Sequence, residues 1–398
     1  MHEYIVSMAR CARNAAASLR QLSTAEKNSL LMRIAEVLEM RKDEIAAANR
    51  EDVEAAKAAG ISAAMADRLS LTPSRFAAMV DGVRHVATLP DPVGEILWTR
   101  ERPSGITIRK IREPFGVVAV VFESRPNVFV DTAALCLKTG NAIILRGGKE
   151  ALRSNAALAA AVREALGEKC PDAVQFVDRP GHEAVTELVR ATGLVDVAIP
   201  RGGERLIRAM CEAALIPVLN HYKGVCHIYV DDEADLAMAL AIIDNAKRQR
   251  PSACNAAECV IVHEKLYPLF RPMLDAWAED NGVTLHDGNF GTEYLGLEMS
   301  VGKVKDWRDA IAFINANSSR HSDCIITNNA QKAAEFLRDV DSACVYHNVS
   351  TRFTDGAEFG MGAEIGISTD KLHARGPMGL EELTTYKYNI TGDGVVRT

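Results

Sequence analysis

The sequence lacks the cysteine pairs that mark disulfide scaffolds and zinc knuckles. Its nine cysteines are an odd number, and they are scattered without any C-x-x-C spacing. Such usage is typical of reduced thiols in a reducing compartment. The first sixteen residues lack a basic stretch followed by an apolar core, and no apolar run reaches membrane-spanning length. We therefore expect a cytoplasmic protein that is not inserted in a membrane.

The sequence also has fewer basic residues than acidic ones, with 46 lysines and arginines against 53 aspartates and glutamates. The formal net charge is −7, whereas a general nucleic-acid binder needs a surplus of lysine and arginine for phosphate contacts. Cys226-His227 has no further ligand at metal-site spacing, so we predict no bound metal. The sequence thus favours an enzyme acting on a small molecule.

No G-x-G-x-x-G motif follows any predicted strand, so the usual dinucleotide fingerprint is absent. The glycines of segment 360–366 imitate it, but their spacing is wrong and they lie late in the chain. A nicotinamide cofactor, if one is used, must be held by other means.

The pattern of apolar residues predicts an α/β fold. The first ninety residues read as helices, with a helix start at Ser23-Thr24-Ala25-Glu26. Short buried strands then alternate with helical stretches, beginning with Gly116–Phe122, and a second series begins near His227. At 398 residues the chain is too long for one core. We predict two doubly wound parallel-sheet domains, with a boundary near Gly224–Cys226 and a tail that returns to the first domain.

Cys254 is the candidate nucleophile. Pro251-Ser252 interrupt the chain between a predicted helix and a predicted strand, so Cys254 should lie on a connection that faces a cleft. Lys247, Arg248 and Arg250 lie just upstream, and nearby cations lower the pKa of a thiol. A thiolate attacks an activated acyl carbon to give a thioester. The competing interpretation is that Cys254, like most lone cysteines, is a small core residue.

Several segments resemble those of a known family. The turn Cys254-Asn255-Ala256 and the strand after it resemble the cysteine loop of aldehyde dehydrogenases. A narrower resemblance, to the γ-glutamyl phosphate reductases, covers nearly the whole chain in order. It rests on the segments Arg250-Pro251-Ser252, Glu123-Ser124-Arg125-Pro126-Asn127, Leu145-Arg146-Gly147-Gly148-Lys149-Glu150, Ile199-Pro200-Arg201-Gly202-Gly203, Cys226–Asp231, His321-Ser322-Asp323 and Gly366–Glu381.

The resemblance implies reduction of L-glutamyl 5-phosphate by NADPH to L-glutamate 5-semialdehyde and phosphate, a step of proline biosynthesis. It implies that Cys254 is the nucleophile and that Asn127, with the backbone N–H of Cys254, stabilises the oxyanion. The alternative for Asn127 is ordinary turn chemistry after a strand. Another acyl-enzyme reductase, acting on a different acyl phosphate or on a coenzyme A thioester, remains an alternative, as does a relative that keeps the fold as a scaffold.

The cofactor residues are predicted partly from position. Arg146 and Lys149 follow a strand end and could hold the adenosine ribose or a 2′-phosphate, or could simply be solvated. Gly202 and Gly203 begin a helix and suit close approach of a dinucleotide. Glu293 matches the superfamily glutamate that holds the nicotinamide ribose.

The resemblance assigns roles to the predicted domains. Residues 1–225 would bind the nicotinamide cofactor, 226–350 would carry Cys254, and 351–398 would return to the cofactor domain and end in an oligomerisation tail. Arg125 and His321 are candidate substrate contacts. The family pattern further implies a homo-oligomer, and we expect glutamate 5-kinase as the enzyme that supplies the substrate.

One departure from the superfamily is informative. Hydrolytic aldehyde dehydrogenases carry a glutamate that activates water, and the matching segment here, Asn220-His221-Tyr222-Lys223-Gly224, has no carboxylate. Without such a base the thioester would wait for hydride, which suits a reductase.

Overall fold

The computed structural model describes residues 1–397, apart from the side chain of Ala64, and its first ninety residues are helical as predicted. The helices are α1 (His2–Leu19), α2 (Thr24–Met40), α3 (Lys42–Ala58), α4 (Ala63–Leu69) and α5 (Pro73–Thr88). Ser23 caps α2, because its side chain accepts from the Glu26 N–H while the Glu26 carboxylate accepts from the Ser23 N–H.

The first parallel sheet follows these helices. Its strands are β3 (Val117–Phe122), β4 (Ala142–Arg146), β5 (Val174–Phe176) and β6 (Val197–Arg201), in the order β5-β4-β3-β6. Every residue of β3 is buried, which explains its uninterrupted apolar sequence. The connecting helices are α6 (Asn127–Lys138), α7 (Leu152–Leu166) and α8 (His182–Val189), and α9 (Glu204–Ala213) follows β6. The chain builds the sheet outwards from β3 through β4 to β5 and then returns to place β6 on the other side of β3, so the strand order reverses between β3 and β6.

A three-stranded antiparallel sheet was not predicted. It consists of β1 (Ile96–Glu101), β2 (Thr107–Pro114) and the late strand β15 (Thr384–Thr391), in the order β1-β2-β15. These strands are mostly exposed or half-buried, so they lack the buried apolar run by which the other strands were recognised.

The second parallel sheet has six strands. They are β7 (Cys226–Val230), β8 (Ala257–His263), β9 (Thr284–Asp287), β10 (Glu298–Val304), β11 (Ser322–Ile326) and β12 (Cys344–His347), in the order β12-β11-β7-β8-β10-β9. Alternate residues of the central strands enter separate apolar clusters on the two faces, Ile228 and Val260 on one and Tyr229 and Ile261 on the other. The helices of this part are α10 (Leu236–Arg248), α11 (Tyr267–Asn281), α12 (Trp307–Asn317) and α13 (Ala330–Asp339), and β13 (Gly366–Ser368) and β14 (Gly376–Met378) form a separate pair.

Two compact units contain these sheets. The first comprises 1–219, 361–366 and 378–398, and the second comprises 220–360 and 367–377. The change of unit after Leu219 lies six residues before the predicted boundary of 225, and segment 351–398 is shared between the units. The predicted α/β class with parallel sheets is confirmed. Within residues 1–397, no helix has both the length and the apolar character needed to cross a bilayer.

Candidate active site

Cys254 lies in the turn between α10 and β8, as predicted, and is half-buried. Backbone contacts hold this turn in place. The buried thiol of Cys226 donates to the carbonyl oxygen of Cys254 over 3.3 Å. Gly224 packs directly against the same carbonyl, since a Cβ at Gly224 would lie 1.8 Å from that oxygen. Any larger residue at 224 would therefore displace the cysteine turn.

Two imidazoles adjoin the Cys254 thiol. One ring nitrogen each of His221 and His321 and the Sγ of Cys254 all lie within 4.8 Å of one another. The three residues come from segments that enter the neighbouring strands β7, β11 and β8, whose order in the sheet is β11-β7-β8. Because these strands are parallel, their amino ends share one edge of the sheet. The structure thus assembles a thiol–imidazole cluster from distant parts of the sequence.

Each imidazole is oriented by an oxygen atom. His221 Nδ1 lies 3.0 Å from the carbonyl oxygen of Ile367, and because a carbonyl only accepts, Nδ1 carries the hydrogen and Nε2 the lone pair. His321 is fully buried, and its Nδ1 lies 2.8 Å from the hydroxyl of Ser322. The rings meet edge to face with centroids 5.5 Å apart. His321 was predicted from the sequence as a candidate substrate contact, whereas His221 was considered only as part of a segment without a carboxylate.

The cations expected to depress the Cys254 pKa are mostly engaged elsewhere. Lys247 Nζ lies 2.8 Å from Glu258 Oε2, and both side chains are fully buried. Arg248 pairs with Asp244 one helical turn earlier, at 2.6 Å. Lys247 and Arg248 are thus each paired with a carboxylate, and their effect on the thiol stays a prediction.

Arg352 is the cation that sequence proximity could not find. Burial, with a further contribution from Arg250, lowers the pKa of Arg352, whereas the negative charge of a Cys254 thiolate acts in the opposite direction. Its Nε donates to Gln249 Oε1 over 2.7 Å, and its carbonyl accepts from Asn255 Nδ2 at 3.3 Å. Arg352 is thus fixed against the cysteine turn by hydrogen bonds to both sides of it.

Carboxylates from other segments lie against Asn220–Gly224. Asp370 Oδ2 accepts from the Asn220 backbone N–H and side-chain amide at 3.3 and 3.1 Å, and burial raises the pKa of Asp370. Glu293 Oε1 accepts from the Gly224 N–H at 2.8 Å. The segment has no acid of its own, yet both of its ends are bound by one. The predicted ribose-binding role of Glu293 stays a prediction.

Glu258 links the buried ion pair to the Glu293 segment. Its second oxygen accepts from the Leu295 N–H at 3.3 Å, and burial raises the pKa of Glu258 to about 7. Leu295 has a left-handed backbone with φ of 57°, so this turn needs an external hydrogen bond to stabilise it. The buried pair therefore supports the turn that carries Glu293.

Asn127 is the first residue of α6, in the first unit, and is half-buried. Its Nδ2 donates to Asp131 Oδ2 over 2.9 Å, one helical turn along. Burial raises the pKa of Asp131 to about 6, opposed by that hydrogen bond and by the charge of Arg201. Arg125, two residues before α6, is also half-buried, and its carbonyl accepts from the Val128 N–H.

Arg146 and Lys149 lie at the carboxyl end of β4. The Arg146 guanidinium donates to the carbonyls of Gly147 and Gly181 at 2.9 and 3.2 Å, and burial lowers its pKa. Lys149 begins a short 3₁₀ helix (Lys149–Ala151) and is exposed. Arg146 thus ties two loops together, while Lys149 presents its ammonium group to solvent.

Gly202 and Gly203 lie after β6, with Gly203 capping α9. The Gly203 N–H donates to Glu123 Oε2 over 2.9 Å, so a carboxylate from the end of β3 occupies the start of the helix. A Cβ at Gly202 would lie 2.6 Å from that same oxygen. The predicted residues Asn127, Arg125, Arg146, Lys149, Gly202 and Gly203 therefore all lie near the carboxyl edge of the first sheet, and Cys254, His321 and Glu293 belong to the second unit.

Comparisons with known proteins agree with this architecture. A family model described as the aldehyde dehydrogenase family matches residues 2–285. The gamma-glutamyl phosphate reductases of Aquifex aeolicus and Carboxydothermus hydrogenoformans are each 48% identical to this chain over 99% of its length, covering 97% and 99% of their own. The crystal structure of gamma-glutamyl phosphate reductase from Thermotoga maritima is 42% identical with a TM-score of 0.97, and the alignment covers 99% of this chain and 100% of that one. The chain is an enzyme of the aldehyde dehydrogenase family and belongs to its gamma-glutamyl phosphate reductases.

Proposed function

We propose that this enzyme reduces L-glutamyl 5-phosphate to L-glutamate 5-semialdehyde and phosphate with NADPH, through a thioester on Cys254, as the second step of proline biosynthesis from glutamate. The observation that carries the mechanism is the placement of the half-buried Cys254 thiol beside two oriented imidazoles. The substrate is proposed from the names of relatives that are 48% identical over their full length.

The first half-reaction forms the thioester. The Cys254 proton passes to the neighbouring imidazole, either His221 or His321, and the Cys254 thiolate attacks the acyl carbon. A sulfur–carbon bond forms, the carbon–oxygen bond to phosphate breaks, and the leaving phosphate takes the proton.

In the second half-reaction the thioester is reduced to a thiohemiacetal oxyanion. When bound, NADPH would supply the hydride. The proposed donors to the oxyanion are the Cys254 N–H and the Asn127 amide, as the family resemblance implies. The Asn127 amide has two hydrogens and donates one of them to Asp131. Collapse of the oxyanion breaks the sulfur–carbon bond, releases the aldehyde and restores the thiolate.

The residues near the reversal between β3 and β6 fit a dinucleotide. Parallel sheets bind such ligands at the carboxyl edge where the strand order reverses. The N-terminus of α9 already accepts an anionic oxygen there, from Glu123, which is the chemistry that a phosphate requires. We propose that Gly202 and Gly203 adjoin the dinucleotide, that Arg146 and Lys149 hold the adenosine ribose or its 2′-phosphate, and that Glu293 holds the nicotinamide ribose.

The oligomeric state and setting are proposed from the resemblance. We propose a cytoplasmic homo-oligomer that receives its substrate from glutamate 5-kinase and that associates through its C-terminal strand. In support, β15 is an edge strand whose Tyr386, Tyr388 and Ile390 are 49%, 50% and 60% exposed. Sedimentation velocity of the full chain and of an Ile390→Lys variant tests the association, which the substitution should weaken.

The reverse reaction gives the most direct test. Purified enzyme should reduce NADP⁺ in the presence of glutamate semialdehyde only when phosphate is added. Cys254→Ala should lower this rate by several orders of magnitude, because the covalent route is lost. Cys211→Ala is the matched control, since Cys211 is also half-buried but lies on α9, and it should keep full activity. Residual activity of Cys254→Ala above about a hundredth would place the nucleophile elsewhere.

A second test addresses the missing base. Given glutamyl phosphate without NADPH, the enzyme should release one equivalent of phosphate and then stall, with the acyl mass on the Cys254 peptide. The Asp370 and Glu293 carboxylates near Asn220–Gly224 already accept backbone N–H groups, and neither belongs to the segment that aligns with the superfamily base. Continuous phosphate release near the normal turnover rate would show that one of these groups, or an imidazole, activates water.

A further inference from the structure

The cluster of His221, Cys254 and His321 has the composition of a site for a soft divalent cation. It offers two imidazole nitrogens and one thiolate, with all three ligand atoms within 4.8 Å of one another. Tetrahedral Zn²⁺ bonds at about 2.3 Å to sulfur and about 2.0–2.1 Å to nitrogen place neighbouring ligand atoms about 3.3–3.6 Å apart. The two ligand atoms of each pair therefore have to approach each other by no more than about 1.5 Å.

The contacts of the imidazoles supply an independent argument. Histidines that bind metals almost always tie their other ring nitrogen to an oxygen atom, which fixes the tautomer and the ring orientation. His221 has this arrangement, since its Nδ1 donates to the Ile367 carbonyl and leaves Nε2 as its ligand atom. Nδ1 of His321 pairs with the Ser322 hydroxyl, which also holds that ring in place.

The surroundings set limits on the affinity. Cys254 and His221 are half-buried, so an ion can enter from their side, whereas His321 is fully buried. Three protein ligands leave a fourth position for water, the coordination typical of open zinc sites. Arg352 opposes a second cation near the sulfur, so binding should be weaker than in a closed four-ligand site.

We propose that His221, Cys254 and His321 bind Zn²⁺ or a similar soft divalent ion, and that metal binding and acylation of Cys254 exclude each other. A sulfur–metal bond replaces the sulfur–hydrogen bond of the thiol, and one proton is released to solvent, with no change of oxidation state. Acylation uses the same sulfur lone pair, so the bound metal holds the enzyme in a reversible, inactive form. Metal binding concerns the free enzyme and does not depend on the proposed substrate, whereas the inactivation rests on the proposed role of Cys254 as the nucleophile.

The test uses the full chain with Co²⁺ as a spectroscopic probe and Zn²⁺ for affinity by chelator competition. We expect one equivalent of Co²⁺ to give a near-ultraviolet sulfur-to-metal charge-transfer band. Cys254→Ser, His221→Ala and His321→Ala should each weaken Zn²⁺ binding by at least about 100-fold, because loss of a ligand exceeds the loss measured for outer contacts. The matched controls are Cys211→Ser and His286→Ala, which remove a half-buried thiol and imidazole outside the cluster and should bind as the wild type does.

Two results would overturn the inference. Equal Zn²⁺ affinity of wild type and Cys254→Ser would mean that the sulfur is no ligand. Unchanged affinity in both histidine variants would mean that a single cysteine binds the ion adventitiously. Because His321 is fully buried and His321→Ala removes a packed side chain, the wild type supplies a second readout that does not depend on the folding of a variant. Zn²⁺ should protect Cys254 from iodoacetamide and chelation should reverse this, whereas failure to protect rules the site out. No assay here uses glutamyl phosphate or NADPH, so this proposal and the proposed reaction can fail separately.

Discussion

Ionisation of the Asp131 carboxyl should lower the free energy of unfolding. Replacing the carboxyl by an amide, which does not ionise, should remove this destabilisation. Asp131 accepts from Asn127 Nδ2 within α6, and burial raises its pKa from 3.8 to about 6, against the opposing effects of that hydrogen bond and of Arg201. The folded protein therefore holds this proton more tightly than the unfolded chain does. The destabilisation is absent below about pH 4, grows as the pH rises to about 6, and is constant above about pH 7.

The size of the effect follows from the shift. About two pKa units at about 1.4 kcal/mol each give an upper limit of about 3 kcal/mol in the free energy of unfolding. Because the side chain is partly exposed, solvent screening reduces this, and we expect about 1–2 kcal/mol at pH 8. Asp131→Asn should then be more stable than the wild type by that amount at pH 8, with an advantage that shrinks by about 1 kcal/mol between pH 7 and pH 5.

Urea unfolding at pH 5, 6, 7 and 8 measures both proteins. Asp81→Asn is the matched control, since Asp81 lies on α5 with a side chain 71% exposed, and its substitution should change stability by no more than about 0.5 kcal/mol. The reductase rate of Asp131→Asn should fall even as its stability rises, because the Asn127 amide loses a charged acceptor. A stability difference that does not change with pH, or a variant less stable than wild type at every pH, would refute the reasoning.

Three further predictions concern the second unit and the cofactor. Gly224→Ala should lower kcat/KM by roughly 100-fold and change the alkylation rate of Cys254, because its Cβ would lie 1.8 Å from the Cys254 carbonyl oxygen; an unchanged kcat/KM would contradict this. Glu258→Gln should lower the free energy of unfolding by about 3–5 kcal/mol in urea, because it leaves the fully buried Lys247 without a counter-charge, whereas the double variant Lys247→Met/Glu258→Leu should lose much less. Lys149→Ala should weaken NADPH more than NADH in fluorescence titrations, by about 1.5–3 kcal/mol if the ammonium contacts the 2′-phosphate; equal losses would assign it to the ribose or to solvent.

Local sequence patterns predicted the elements well where burial is continuous. The helices before residue 90 follow from apolar spacing and from the Ser23 cap, and strands such as β3 follow from an uninterrupted buried run. The half-exposed strands β1 and β2 were not predicted from the sequence, because their residues do not alternate clearly between apolar and polar. The order of strands in the sheet could not be predicted from local sequence either, because β11 pairs with β7 through residues far apart in the chain, such as Cys324 and Ile228.

The same limit explains what was found and missed at the site. Cys254 was identified because its turn has a local signature. His221 was not, since its proximity to the thiol depends on the strand order of the sheet. The ion pair of Lys247 was missed for a related reason. Its position near Cys254 in sequence does not reveal that its side chain enters the core to meet Glu258.

The strand order β11-β7-β8 also has a consequence for how the protein matures. Along the chain, β7 and β8 are followed by β9 and β10, which lie on the far side of β8, and the chain then crosses back to place β11 on the other side of β7. Such a non-local crossover is slow to form, because the chain entropy lost in closing it precedes the contacts that reward it. His321 therefore reaches Cys254 only after this crossover, however early the rest of the sheet forms. During refolding, the proximity of His321 to Cys254 should therefore lag behind the recovery of secondary structure.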